Sequence, residues 1–170
     1  PLSISHKLCL LEIDHMSTAH DPAISATQLS EDVKSIGFDR SVPISELNFE
    51  KAKLVAYTQR LYSAVDTLDL CMFCFGFNML YGPKELVDLV RYATGWNVSL
   101  WELMLVGERR INMMREFNAY EGFTQEDDMP PSRLFEPLSG GASDGNKISK
   151  DEFMDTRSRY YELMGWDSTT

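Results

Sequence analysis

From Asn48 onward the chain is punctuated by helix start and stop signals, set around apolar residues at three- and four-residue spacing. No stretch of useful length alternates apolar with polar residues as a half-buried strand requires. Asn48 is suited to cap a helix over Phe49 to Val65, in which Ala52, Val55, Leu61 and Val65 recur at helical spacing. Pro83 and Gly95 frame a second helix over Lys84–Thr94, with Leu86, Val87, Leu89 and Val90 as its inward face. Ser99-Leu-Trp-Glu102 is a capping box, in which the hydroxyl and the carboxylate each satisfy an orphan backbone donor; apolar spacing continues to Phe117, and Gly122 closes the helix. A second box, Ser149-Lys-Asp-Glu152, opens a helix through Phe153, Tyr160, Tyr161 and Leu163 that stops at Gly165. The pattern predicts an all-α fold, an irregular multi-helix cluster of about five helices with no internal repeat.

Between the last two helices, Thr124 to Asn146 is rich in Asp, Pro, Ser and Gly and reads as a long loop, of the kind that is functional or poorly ordered. Residues 1–47 are less periodic, broken by Pro22, Gly37 and Pro43, with a short helix over Glu31–Ile36. They read as an N-terminal extension or the tail end of a preceding helical domain, and 48–170 as one helical domain. The opening Pro1-Leu2, without an initiator Met, reads as a chain cut from a longer polypeptide.

Charge and cysteine usage narrow the partners. With 26 acidic against 16 basic residues the net charge is −10, which repels a phosphate backbone and excludes nucleic acid as a partner. No run approaches the ~18 uncharged residues of a membrane span, and no basic stretch leads into an apolar signal segment. Three cysteines do not make the even framework of a small secreted scaffold, so reduced thiols in a cytoplasm are expected.

Asp66-Thr-Leu-Asp-Leu-Cys71 is the most informative stretch, placing a carboxylate and a thiol where a helix runs into the apolar segment Leu68–Phe77, which reads as a buried turn or a last helical turn. A thiolate there is a soft ligand suited to iron or zinc. The alternative makes Cys71 and Cys74 small core residues and Asp66 a cap, since free cysteine is so often simply buried. Asp144-Gly-Asn-Lys-Ile-Ser-Lys-Asp-Glu152 sounds like a calcium loop, but aligning its glycine puts Gly140 and Ala142 at the first two ligand positions, which excludes it. Trp101, Met104 and Leu105 read as core. His15 and His20 do not share a helical face as a zinc pair would.

Asp66-Thr-Leu-Asp-Leu-Cys71 resembles the Asp-x-x-Gly-Leu-Cys motif of the tungsten-containing aldehyde ferredoxin oxidoreductase family. The stretch Glu108-Arg-Arg-Ile-Asn-Met-Met-Arg-Glu-Phe-Asn118, then Glu121-Gly-Phe-Thr124, Asp127-Asp128 and Pro131, resembles the family in order and spacing, as does Tyr160-Tyr-Glu-Leu-Met-Gly-Trp-Asp167. Asp14-His-Met-Ser-Thr-Ala-His20 is similar to a family segment near the tungsten site, although Leu8 to Ile13 before it fit poorly. Three positions depart from the pattern: Asp69 replaces the motif glycine, and Tyr120 and Gln125 stand where arginines are frequent.

The resemblance implies the C-terminal helical part of an enzyme that oxidises aldehydes to carboxylic acids at a tungsten or molybdenum bis-pterin centre and passes electrons through a 4Fe-4S cluster to ferredoxin. It assigns pterin contact to Asp66 and Leu70, cluster ligation to Cys71 and action on the aldehyde to His15, for which a surface or capping histidine is the alternative. Cys9 and Cys74 are then structural, Cys74 packing against Phe73 and Phe75. A four-iron cluster needs four thiolates and the chain has three cysteines, so no cofactor is expected on this chain alone. The implied partners are the N-terminal domains of the same polypeptide, ferredoxin and a small aldehyde, with a further copy of the chain as an open alternative. The competing reading is a non-catalytic helical module acting in assembly or binding.

Overall fold

The computed structural model describes residues 31–38, 42, 46–77 and 79–167. Five α-helices follow one another among them: α1 (Glu31–Ser35), α2 (Phe49–Thr67), α3 (Pro83–Thr94), α4 (Leu100–Tyr120) and α5 (Lys150–Met164). No strand occurs among the described residues, only an isolated bridge between Phe75 and Tyr81. The all-α expectation is met.

The helix ends have local causes. The Asn48 side chain accepts the Lys51 N–H at 3.0 Å and so starts α2. At α4, Ser99 Oγ accepts the Glu102 N–H at 3.2 Å, and Glu102 returns a carboxylate oxygen to the Ser99 N–H at 2.8 Å. The Ser99 backbone, and then its hydroxyl, hold the Glu102 carboxyl below its ordinary range. Ser149 Oγ accepts the Glu152 N–H at 3.3 Å, the serine half of the second box.

Four of the five helices share one ending, in which two successive N–H groups bond back three and five residues. The donor pairs are Gly37 and Phe38 after α1, Asp69 and Leu70 after α2, Gly122 and Phe123 after α4, and Gly165 and Trp166 after α5. The motif requires a left-handed residue at its first donor, and three of the four are glycines. At α2 it is Asp69, with φ 54°.

Helix α2 runs through the middle and is buried on nearly every side, as its near-continuous burial from Lys51 to Val65 shows. One face joins Leu54, Leu61, Tyr62 and Val65 to Val33, Ile36 and Phe38 of the α1 region, to Leu86, Val87 and Val90 of α3, and to Leu103 and Met104 of α4. The opposite face joins Ala52, Val55 and Ala56 to Ile111 of α4 and to Phe153, Tyr160 and Met164 of α5. Full burial of a side chain such as Phe153 contributes about 2–3 kcal/mol. Helices α2 and α4 cross closely at Gly107, where an added Cβ would lie 1.9 Å from the Arg60 carbonyl oxygen; Ser63 Oγ donates to the Gly107 carbonyl at 2.9 Å in the same place.

Two expected core positions turn outward. Leu89 and Trp101 are exposed, because each lies about 100° round its helix from the centre of the face that packs. The long loop between α4 and α5 contains two short 3-10 turns, Ser132–Leu134 and Gly141–Ser143, and is tied down by a buried charge cluster. Arg115 of α4 donates to Asp128 of the loop at 2.6 Å and to the Tyr161 hydroxyl of α5 at 3.1 Å, while that hydroxyl donates to Asp128. The Arg115 guanidinium also stacks 5.2 Å from the Trp166 ring, whose Nε1 donates to Asn112 at 2.8 Å. Asp128, Tyr161 and Trp166, all within the family-like strings, therefore serve packing.

Candidate functional site

The Asp66–Cys71 segment begins inside the last turn of α2 and leaves it through the left-handed Asp69. The Asp69 N–H bonds the Asp66 carbonyl at 3.0 Å and the Leu70 N–H bonds the Val65 carbonyl at 3.1 Å, which turns the chain sharply across the helix end. Leu70 and Met72 then pack on the core that includes Val65, and the residue after each, Cys71 and Phe73, is exposed. The segment is thus not the buried turn expected. Phe73 is 69% exposed, and only Gly76 and Phe77 at the far end are buried.

The rest of the loop is anchored rather than loose. Tyr81 N–H bonds the Cys74 carbonyl at 2.8 Å, Gly76 N–H bonds the Tyr81 carbonyl at 2.9 Å, and the Phe75 and Tyr81 rings lie 5.1 Å apart. Gly76 sits on Tyr62 of α2, where a Cβ would come within 2.7 Å of the ring. Cys74 is half-buried beside Cys71. Desolvation first, and then the charge and hydrogen bonding of Cys71, push the Cys74 thiol upward.

The Asp66 side chain is positioned by the α2–α4 crossing. Its Oδ2 lies 3.4 Å from Arg110 Nη1, with both groups about one-third exposed. The same nitrogen lies 3.4 Å from Ser63 Oγ, the hydroxyl that ties α2 to Gly107. Arg110 was not singled out in the sequence as a site residue; the signal was its place one helical turn past the small Gly107, inside the Glu108-Arg-Arg string. Beside this pair opens a groove of about 740 Å³, lined mostly by apolar groups of Val106, Met113, Met114 and Phe117 together with Thr67, Arg109 and Arg110.

Asp66, Leu70 and Cys71 thus follow one another along the end of α2 and the turn after it, Asp66 facing Arg110, Leu70 on the core and Cys71 exposed. His15 lies outside the described residues, as do Cys9 and His20. The Asp69 departure acquires a local meaning: the position is a left-handed helix cap, which aspartate tolerates better than most residues. Tyr120 is exposed, and the Gln125 carbonyl accepts from Arg157 at 2.6 Å, joining the loop to α5. Around the rejected calcium loop, Asp144 accepts the Gly140 N–H at 2.7 Å. Among the described residues no group of three or more His, Cys, Asp or Glu side chains could hold a metal, and no helix is long and apolar enough to cross a membrane.

Over 134 residues the chain is 31% identical to the tungsten-containing aldehyde ferredoxin oxidoreductases of Pyrococcus horikoshii and Pyrococcus abyssi, and 29% identical to that of Pyrococcus furiosus. Each alignment covers 77% of this chain and 21% of the relative, so the chain spans about a fifth of the length of the curated relatives it matches. The family model described as aldehyde ferredoxin oxidoreductase, domains 2 and 3, matches residues 12–170. With that match over nearly its whole length, the chain belongs to the aldehyde ferredoxin oxidoreductase family, in the part that forms domains 2 and 3.

Proposed function

We propose that this chain supplies the C-terminal, cofactor-facing helices of a longer oxidoreductase that converts an aldehyde to a carboxylic acid at a tungsten or molybdenum bis-pterin centre, with electrons leaving through a 4Fe-4S cluster to ferredoxin. The observation that carries this reading is the left-handed exit from α2, which follows Asp66 in the last turn of the helix and leaves Cys71 exposed just beyond it. The donor set fits: a soft sulfur suits iron, and a carboxylate about one-third exposed suits the N–H groups of a pterin. When bound, the metal–pterin centre and the cluster supply the redox chemistry.

The residues of this chain bind and orient. Cys71 presents its sulfur as one of the four cluster thiolates, the others lying in other parts of the full-length polypeptide. Leu70 holds that sulfur in place by packing on the core and brings its backbone to the pterin. Asp66 accepts hydrogen bonds from the pterin, with Arg110 at 3.4 Å setting the direction of its oxygens. His15 would exchange a proton with the aldehyde or its hydrate, the role an imidazole is suited to.

The test is metal analysis of the full-length protein produced anaerobically with tungstate. Cys71→Ala is expected to lose most of its cluster iron; a variant retaining the full four-iron complement removes the ligand role. His15→Ala with unchanged turnover removes the catalytic one.

A further inference from the structure

Cys74 is unused by this reading, yet its placement is specific. The Cys74 N–H bonds the Cys71 carbonyl at 2.9 Å, and the Phe75 N–H bonds the same oxygen at 3.0 Å, so Cys71 to Cys74 form one tight turn. Such a turn brings the Cα atoms of its first and fourth residues within about 7 Å. Disulfides span about 4.4–6.8 Å between Cα atoms, so the turn already holds the spacing that a bridge needs. The turn sets the two thiols on neighbouring places of one short loop, and both are free. Cys71 is exposed and Cys74 is half-buried behind it, an order in which an oxidant meets Cys71 first and finds the second sulfur waiting.

We infer that Cys71 and Cys74 form a reversible intramolecular disulfide when no metal holds the Cys71 sulfur, and that this bridge protects Cys71 from irreversible oxidation. A peroxide transfers one oxygen to the Cys71 sulfur, its O–O bond breaks, and water leaves from the other oxygen. The Cys71 sulfenic acid so formed is then attacked by the Cys74 sulfur; the S–O bond breaks, an S–S bond forms, and a second water leaves with the Cys74 hydrogen. Two thiols and one hydrogen peroxide thus become one disulfide and two waters, the sulfurs oxidised and the peroxide reduced. A dithiol reductant reverses the step and returns Cys71 to the thiol that iron requires.

The disulfide itself stands on geometry alone; only its consequence for iron binding rests on Cys71 being a cluster ligand. The experiment uses the full-length protein freed of iron by chelation, exposed to hydrogen peroxide, alkylated and digested with trypsin. Both cysteines lie in the peptide Leu61–Lys84, between Arg60 and Lys84. The expected product is that peptide unalkylated and lighter by two hydrogens than its reduced form, with the two halves still joined after a chymotryptic cut at Phe73. In Cys74→Ser the same treatment is expected to raise Cys71 sulfinic acid several-fold.

Sulfinic acid at Cys71 in the unmodified sequence, with Cys74 still open to alkylation, overturns the inference. So does a bridge from either residue to Cys9. A disulfide that forms normally in a protein whose Cys71→Ala variant keeps all its iron supports this inference while removing the cluster assignment, so the two readings fail separately.

Discussion

Gly107 of α4 presses against the backbone of Arg60 in α2 so closely that a methyl group at Gly107 would lie 1.9 Å from the Arg60 carbonyl oxygen. The contact is backbone to backbone, so no side-chain rotation relieves it, and helix separation is the only response. Gly107→Ala is therefore expected to destabilise the fold by about 3 kcal/mol or more. Thermal unfolding should show a Tm lower by roughly 6–12 °C; an unchanged Tm would contradict the crossing described.

Asp69→Gly tests the reading of position 69 as a left-handed cap. With φ at 54°, glycine is expected to match or exceed aspartate, raising stability by up to about 1 kcal/mol, whereas Asp69→Val should cost about 1–2 kcal/mol. Urea unfolding ranks the three. Valine equal to glycine would mean that the turn is not left-handed in solution.

Asp128 sits between Arg115 and Tyr161, and the Arg115 and Asp128 side chains are 6% and 8% exposed. Asp128→Ala removes the carboxylate that accepts from both Arg115 and the Tyr161 hydroxyl, so a loss of about 1.5–3 kcal/mol is expected in chemical denaturation. A loss below about 1 kcal/mol would show the loop detached from α4 and α5.

Burial, followed by the Asp128 carboxylate, pushes the Tyr161 phenol up to about 12 from an ordinary 10.0. The folded pKa is the higher, so the protonated phenol stabilises the fold fully below pH 10, and that stability is lost as pH rises through about 12. The stability difference between the unmodified sequence and Tyr161→Phe should shrink across this window. A difference that stays constant from pH 9 to about 12 would place Tyr161 in a solvent-like setting.

Arg110→Met separates function from packing. Arg110 and Asp66 are each about one-third exposed, so their ion pair is worth at most about 1 kcal/mol and Tm should move little. If the proposed pterin role of Asp66 holds, retention of tungsten by the full-length protein through gel filtration should nevertheless fall, because Asp66 loses the group that directs it. Full retention would leave Arg110 a surface partner only.

The sequence by itself determined where the helices begin and end. Asn48, Ser99 with Glu102, Ser149, Gly95 and Gly165 all act as expected, since the donors and acceptors orphaned at a helix end are satisfied within one turn of chain. The Asp66–Cys71 candidate was legible for the same reason, its residues being close in sequence. Tertiary structure alone decided what faces outward. The apolar run at Leu68–Phe77 read as buried, yet Cys71 and Phe73 point to solvent because Leu70 and Met72 take the core-facing places; Leu89 and Trp101 turn out because their helices pack through one narrow face. Nor could spacing reveal that Arg110 meets Asp66, or that Arg115, Asp128 and Tyr161 gather in one buried cluster. Burial and pairing of this kind depend on which helices cross, and that depends on long-range closeness such as Gly107 on Arg60, which no local pattern encodes.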